Sequence, residues 1–172
     1  MSTSAERVLR DGARARLRAL PYADPLVQHL VEQVQQEYVL RYGGRDEAVV
    51  EPAEFEPPLG LFLVAELDGA PAGCGGWRTV ADGQAEIKRV YVDPAFRRRG
   101  LAQALVDALE SSAAGAGHRS IVLNSGNRQP EALALYEAAG YGPVPGYGPY
   151  ACSPGAVFLG KNLDEGVQPW AS

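Results

Sequence analysis

The chain has 172 residues, 46% of them hydrophobic, which is enough for one well-buried domain and too short for two comfortable ones. Its net charge of -5 and sequence pI of about 5.1 argue against a nucleic-acid-binding protein. No apolar run approaches bilayer-spanning length and residues 1–20 lack the apolar core of a signal peptide, so the expectation is one domain over 1–172 (core about 6–163, loose tails) in a bacterial-type cytoplasm, away from membranes.

In chain order, residues 13–20 alternate arginine with apolar side chains, as an edge or half-exposed strand does. Asp24 as N-cap and Pro25 as first helical residue open a helix with Leu26, Leu30, Val31, Val34 and Tyr38 on its apolar face, and Gly43-Gly44 stops it. The polar, proline-bearing stretch 45–58 reads as a mobile loop with room for one short helix. Residues 61–67 and 71–80 read as strands joined by Asp68-Gly69, a tight-hairpin signal. A third antiparallel strand, 85–92, follows the Ala81-Asp82-Gly83 turn, and Asp93-Pro94 ends it. Leu101, Leu105, Ala108, Leu109 and Ser112 then recur at helical spacing, which predicts a helix from near Gly100 to about Gly115. A strand over 120–124, a helix over about 130–139, a Gly/Pro-rich section and a last strand over 156–163 complete the chain.

The turn between the third strand and its helix carries Arg97, Arg98, Arg99 and Gly100. Free backbone N–H groups, the positive helix end and guanidinium forks there point to one bound anion. Gly100 lets a ligand approach the backbone, and Ala102 keeps the next position small. A Walker loop would need lysine and a hydroxyl after its last glycine, and a dinucleotide fingerprint would need G-x-G-x-x-G; neither occurs. Cys74 and Cys152 have no CxxC spacing, and neither His29 nor His118 belongs to a metal-ligating cluster, so no metal site is expected.

The spacing Arg97-x-x-Gly100-x-Ala102 resembles the acetyl-coenzyme A loop of the GNAT acetyltransferase superfamily, and the order of elements resembles its fold over nearly the whole chain. That resemblance implies an α/β fold with a mixed, mostly antiparallel, splayed sheet flanked by helices. The strands before and after the loop helix would part, and the backbone of Val90, Tyr91 and Val92 would pair with the pantetheine arm as an added strand. The phosphates would fall to Arg97, Arg98, Arg99, Gly100, Leu101 and Ala102.

Downstream, NSGNRQPEALALYEAAGY is similar to the family's second signature, with Tyr136 at its tyrosine position. The resemblance makes Tyr136 the acid that protonates the departing thiolate. The family commonly has an asparagine seven residues before this tyrosine. Gln129 stands there and Asn127 lies nine before, so either amide can fill the role. Arg128 either touches a phosphate or faces water. Glu86 is a candidate general base for the amine, as in some relatives, or else an ion-pair partner of Arg78 or Lys88. Trp77, Lys88 and Arg89 border the expected acceptor pocket, where cations suit an acceptor with a carboxylate or simply reach solvent. Tyr38, Tyr42, Tyr147 and Tyr150 form an aromatic wall opposite or are packing residues.

The implied activity is N-acetyl transfer from acetyl-coenzyme A, directly and in a ternary complex, to a small-molecule primary amine such as an amino acid or amine metabolite. Two alternatives stand beside it: a protein N-terminus or lysine as acceptor, favoured by an acidic rim such as Glu47, Glu51, Glu54 and Glu56, and a non-catalytic acyl-coenzyme A sensor. A monomer or a homodimer fits either.

Overall fold

The computed structural model describes residues 4–164 and 168–171. Eight strands make one sheet: β1 (Ser4–Val8), β2 (Arg14–Ala19), β3 (Gly60–Leu67), β4 (Ala70–Ala81), β5 (Gln84–Val92), β6 (Ser120–Gly126), β7 (Gly142–Pro143) and β8 (Ala156–Asn162). Their order is β1-β2-β3-β4-β5-β6-β8-β7, and every pairing is antiparallel except that of β5 with β6. Parallel neighbours need a crossover, and helix α2 (Leu101–Gly115) supplies it. Helices α1 (Pro25–Tyr42) and α3 (Pro130–Ala138) complete the mixed α/β architecture expected from the order of elements.

The two-residue period of the strands sorts the core into two layers. On one face Leu61, Leu63, Ala65, Trp77 and Ile87 pack with Leu101, Leu105 and Leu109 of α2. On the other, Phe62, Val64, Cys74 and Tyr91 pack with Val27, Leu30, Val31 and Val34 of α1. Both faces of the central strands are therefore covered, which is why β3 reads as an unbroken apolar run rather than an alternating one. The predicted punctuation is in place. Asp24 Oδ1 accepts from the Leu26 N–H at 2.9 Å and Gly43 ends α1 in the left-handed region. Asp68 and Gly69 have φ of 54° and 77°, the two positive values that a tight primed hairpin turn requires.

Three parts differ from the sequence expectation. β1 pairs with β2 at the sheet edge, although its short charged sequence SAERV carries little strand signal and stays half exposed. The 45–58 stretch is pinned rather than mobile: its 3-10 turn, Pro52–Phe55, drives Phe55 (1% exposed) between Tyr22 and Phe62, with ring centroids 4.9 and 5.5 Å away. The C-terminal segment is also held, since Arg7 Nη2 donates to the Trp170 carbonyl at 2.6 Å and the Trp170 ring packs on the α2-side core.

Leu109 is fully buried between α2 and the sheet. Its truncation in Leu109→Ala is expected to cost about 2–5 kcal/mol, read as a lower urea midpoint at unchanged slope; a wild-type midpoint would contradict this packing.

Candidate active site

The arginine-bearing turn leads from β5 into α2 as expected, and Arg97 and Arg99 are held by neighbouring groups of the chain. After β5, Asp93 Oδ1 caps a 3-10 turn over Pro94–Phe96, and the chain then reverses through Arg98 (φ 66°) and Gly100 (φ 89°) into α2. Gly100 is the N-cap and offers no side chain, so the first N–H groups of α2 stay uncapped. Arg97 does not reach toward them. Its Nε donates to the Val92 carbonyl at 2.8 Å, its Nη2 meets Glu37 Oε1 of α1 at 3.0 Å, and its guanidinium lies 5.8 Å from the Tyr91 ring centre. Arg99 is held by Asp11 of the β1–β2 turn at 2.7 Å. Both arginines tie the loop to its neighbours, and Arg98 is exposed.

Preceding this turn, β5 carries a bulge. Cys74 pairs with Tyr91 and Gly76 with Lys88, so Arg89 and Val90 together face the single Gly75. Arg89 adopts φ of 60°, rare for a residue with a Cβ. The extra residue breaks the alternation and sends Lys88 and Arg89 toward the same face. There one carboxylate receives both: Asp46 of the pinned loop pairs with Lys88 Nζ at 3.3 Å and makes a very close ion pair with Arg89 Nη1. Asp46 also accepts from Tyr150 Oη at 3.0 Å and from the Ala48 N–H at 2.9 Å. Burial alone would raise its carboxyl, but the charges of Lys88 and Arg89 with these hydrogen bonds hold it below the usual range. The two cations expected to receive an acceptor's carboxylate thus share one internal carboxylate.

Pairing of β5 with β6 stops at Ile87 opposite Leu123, just before the bulge, and beyond it the last residues of β6 pair only with β8. Past this point a cavity of about 490 Å³ opens, lined by Tyr38 and Tyr42 of α1, by Asp46 and Lys88, and by the 124–129 turn. Gln129 and Asn127, the alternatives for the amide position, both border it. Gln129 Oε1 accepts from Tyr42 Oη at 3.1 Å, and the Asn127 N–H donates to the Gly155 carbonyl at 2.9 Å. A Cβ on Gly126 would lie 2.1 Å from Tyr42 Oη, so glycine is what lets that tyrosine close on the end of β6. Arg128 is tied back to α1, donating to the Arg41 carbonyl at 3.0 Å. Tyr136 is buried from α3, its ring centre 5.4 Å from that of Tyr141; burial first, and then proximity to Tyr38, raise its phenol well above the usual range.

A second cavity of about 290 Å³ adjoins the first and shares Lys88, Asn124 and Tyr150 with it. Glu86 (4% exposed) lines this second space, with one oxygen bonded to Arg78 Nε at 3.0 Å. The ion pair weighed against the base role is therefore real, and Arg78 is its partner rather than Lys88. Trp77, expected beside the acceptor, is on the other face: it is 2% exposed and donates from Nε1 to Ser112 Oγ of α2 at 3.0 Å. Its position follows from β4 alternation, which puts the neighbouring Arg78 on the cavity side. Asp46 and Glu37 had no signal in the sequence, because each is one acid among many until the fold brings it to its cations. Cys74 is fully buried, and burial pushes its thiol to about 12, which leaves it inert as a nucleophile.

The model of the acetyltransferase (GNAT) family matches residues 26–141. The chain belongs to the GNAT acetyltransferase family. It is accordingly an acyltransferase enzyme. It is 29% identical over 147 residues to the IAA acetyltransferase of Azospirillum brasilense, covering 85% of this chain and 95% of that relative. The fold is also that of the GNAT domain of S. lividans PAT, with a TM-score of 0.72 at 22% identity over 93% of this chain and 97% of that one. The PaiA N-acetyltransferase of Thermoplasma acidophilum, solved with coenzyme A, superposes with a TM-score of 0.63 at 17% identity over 86% and 98% of the two chains. The chain spans about a third of the length of four further curated relatives that it matches. Among the described residues no helix is long and apolar enough to cross a membrane.

Removing the Asp46 charge strands the buried Arg89 guanidinium. Asp46→Asn is expected to lower stability by about 3–5 kcal/mol at neutral pH. Because the native carboxyl titrates below the ordinary 3.8, the difference between wild type and variant is complete above that value and shrinks as pH falls through the native one. Urea titrations across this range check it; a pH-independent difference would contradict the ion pair.

Proposed function

We propose that this enzyme transfers the acetyl group of acetyl-coenzyme A to the primary amine of a small molecule, directly and in a ternary complex. The observation that carries the reading is the meeting of two cavities at Lys88, Asn124 and Tyr150, one opening from the parted β5 and β6 strands and the other lined by Glu86. Donor and acceptor can thus enter separately and meet at one wall.

The residues fit acetyl-coenzyme A. An uncapped helix start with Gly100 in the left-handed region suits a phosphate group, with N–H groups from the turn through Leu101 and Ala102 and with the exposed Arg98 two residues before the cap. The backbone of Val90, Tyr91 and Val92, past the end of the β5–β6 pairing at Ile87, would pair with the pantetheine arm, and Gln129 and Asn127 line the cavity. Arg97 and Arg99 serve by fixing the loop. When bound, acetyl-coenzyme A supplies an acetyl group activated as a thioester.

The chain supplies the proton chemistry. An amine is mostly protonated at neutral pH, so a base must free its lone pair. Glu86 has one oxygen occupied by Arg78 and the other available to take that proton. Tyr136 keeps its phenolic proton at neutral pH because of its burial, and so holds a proton at Oη ready for a leaving thiolate. With Cys74 inert, no acyl-enzyme step through this cysteine is needed.

Glu86→Gln is expected to lower kcat/KM for an amine by roughly 10²–10⁴-fold, with coenzyme A affinity by calorimetry unchanged. Tyr136→Phe is expected to lower kcat while leaving that affinity within twofold. Free-thiol release gives the rates; wild-type turnover in either variant removes its assigned role.

A further inference from the structure

Tyr147 Oη is a buried polar atom with no hydrogen bond of ordinary geometry among the described residues, and its residue lines the same cavity as Glu86. The group it interacts with is the Glu86 carboxylate, which leaves the lone pairs of the Tyr147 hydroxyl to an incoming donor. The ring itself is well seated, edge-on to Phe158 of β8 with centroids 5.2 Å apart. Its hydroxyl stands within reach of the Glu86 charge, and burial followed by that charge keeps the phenol protonated far into the alkaline range.

The cations of this wall are already engaged. Arg78 spends its donors on Glu86, on Glu54 at 3.2 Å and on the Val49 carbonyl at 2.8 Å, and Lys88 is held by Asp46. An anionic acceptor must therefore compete with Glu86, Glu54 and Asp46 for these cations. A group that brings N–H donors finds two acceptors, the second Glu86 oxygen and Tyr147 Oη.

We propose that Tyr147 is the residue that positions the acceptor amine, its Oη and the Glu86 carboxylate forming the amine-binding end of a cavity that takes a compact primary amine with an apolar stem. This rests on the acetyltransferase reading above and deepens it. An amine N–H donates to Tyr147 Oη, whose own proton turns to Glu86. After a second amine proton passes to Glu86, the nitrogen stays anchored by Tyr147 with its lone pair free to face the shared wall at Lys88, Asn124 and Tyr150. At about 290 Å³ the cavity lies at the small end of the ligand-pocket range, and Val80, Pro149 and Tyr150 make its remaining walls largely apolar. Such a space suits a compact amine better than a polypeptide end.

The test uses Tyr147→Phe, with benzylamine, phenethylamine and putrescine as compact amines and a short peptide with a free N-terminus as the polypeptide amine. Thiol release by wild type should be faster with a compact amine than with the peptide. For that amine, Tyr147→Phe should raise KM roughly tenfold, with kcat and the KM for acetyl-coenzyme A unchanged and the melting temperature no lower than that of wild type. A merely structural hydroxyl would instead lower the melting temperature and leave the amine KM alone. An unchanged amine KM in an enzyme that turns the amine over overturns the Tyr147 assignment only. Preference for the peptide overturns the compact-amine class, and no thiol release by wild type with any of the four amines overturns this proposal and the proposed function together.

Discussion

The bulge at Arg89 and Val90, locked by the ion pair between Arg89 and Asp46, is the constraint on which the rest of the site depends. A positive φ in a residue with a Cβ costs on the order of 1–3 kcal/mol and persists only where the surroundings dictate it. Here the buried guanidinium is held by the Asp46 carboxylate. The bulge bends β5 where its pairing with β6 ends, and it turns two successive cations onto one face. Asp46 in turn pins the loop after α1, whose main chain Gln35 grips at both Asp46 N–H and carbonyl. One extra residue in a strand thus opens a gap in the sheet and fixes a wall of both cavities.

The same economy governs the arginine turn. Three consecutive cations at a helix N-terminus would oppose its dipole if they all crowded there. Two of them are drawn aside by Glu37 and Asp11, and the first N–H groups of α2 are left without a side-chain cap. Glu37 also meets Arg41 at 3.3 Å, which meets Glu131 of α3 at 2.5 Å, so the end of α1 is stitched to the arginine turn and to α3. These pairs lie in partly exposed surroundings, and geometry rather than net stability is what they contribute.

Local chemistry was legible in the sequence. The cap at Asp24, the turn at Asp68-Gly69, the apolar period of α2 and the glycine at its start each report a backbone requirement through one or two neighbouring residues. What hid from it was non-local. β1 takes its stability from pairing rather than from its own composition, and Asp46 matters only because a bulge 43 residues later aims Arg89 at it. The misplacement of Trp77 has the same origin: bordering the site in sequence gave no measure of which sheet face it takes. For Glu86 the residue type suggested a base and its neighbour an ion pair, and only coordinates could show that Arg78 occupies one oxygen and leaves the other.

The most direct test of the parted strands as the donor site is amide hydrogen exchange with and without coenzyme A. Slower exchange confined to residues 88–92 of β5 and 98–102 at the start of α2 is the predicted result. Unchanged exchange in both segments under saturating coenzyme A, with protection appearing elsewhere, would contradict it.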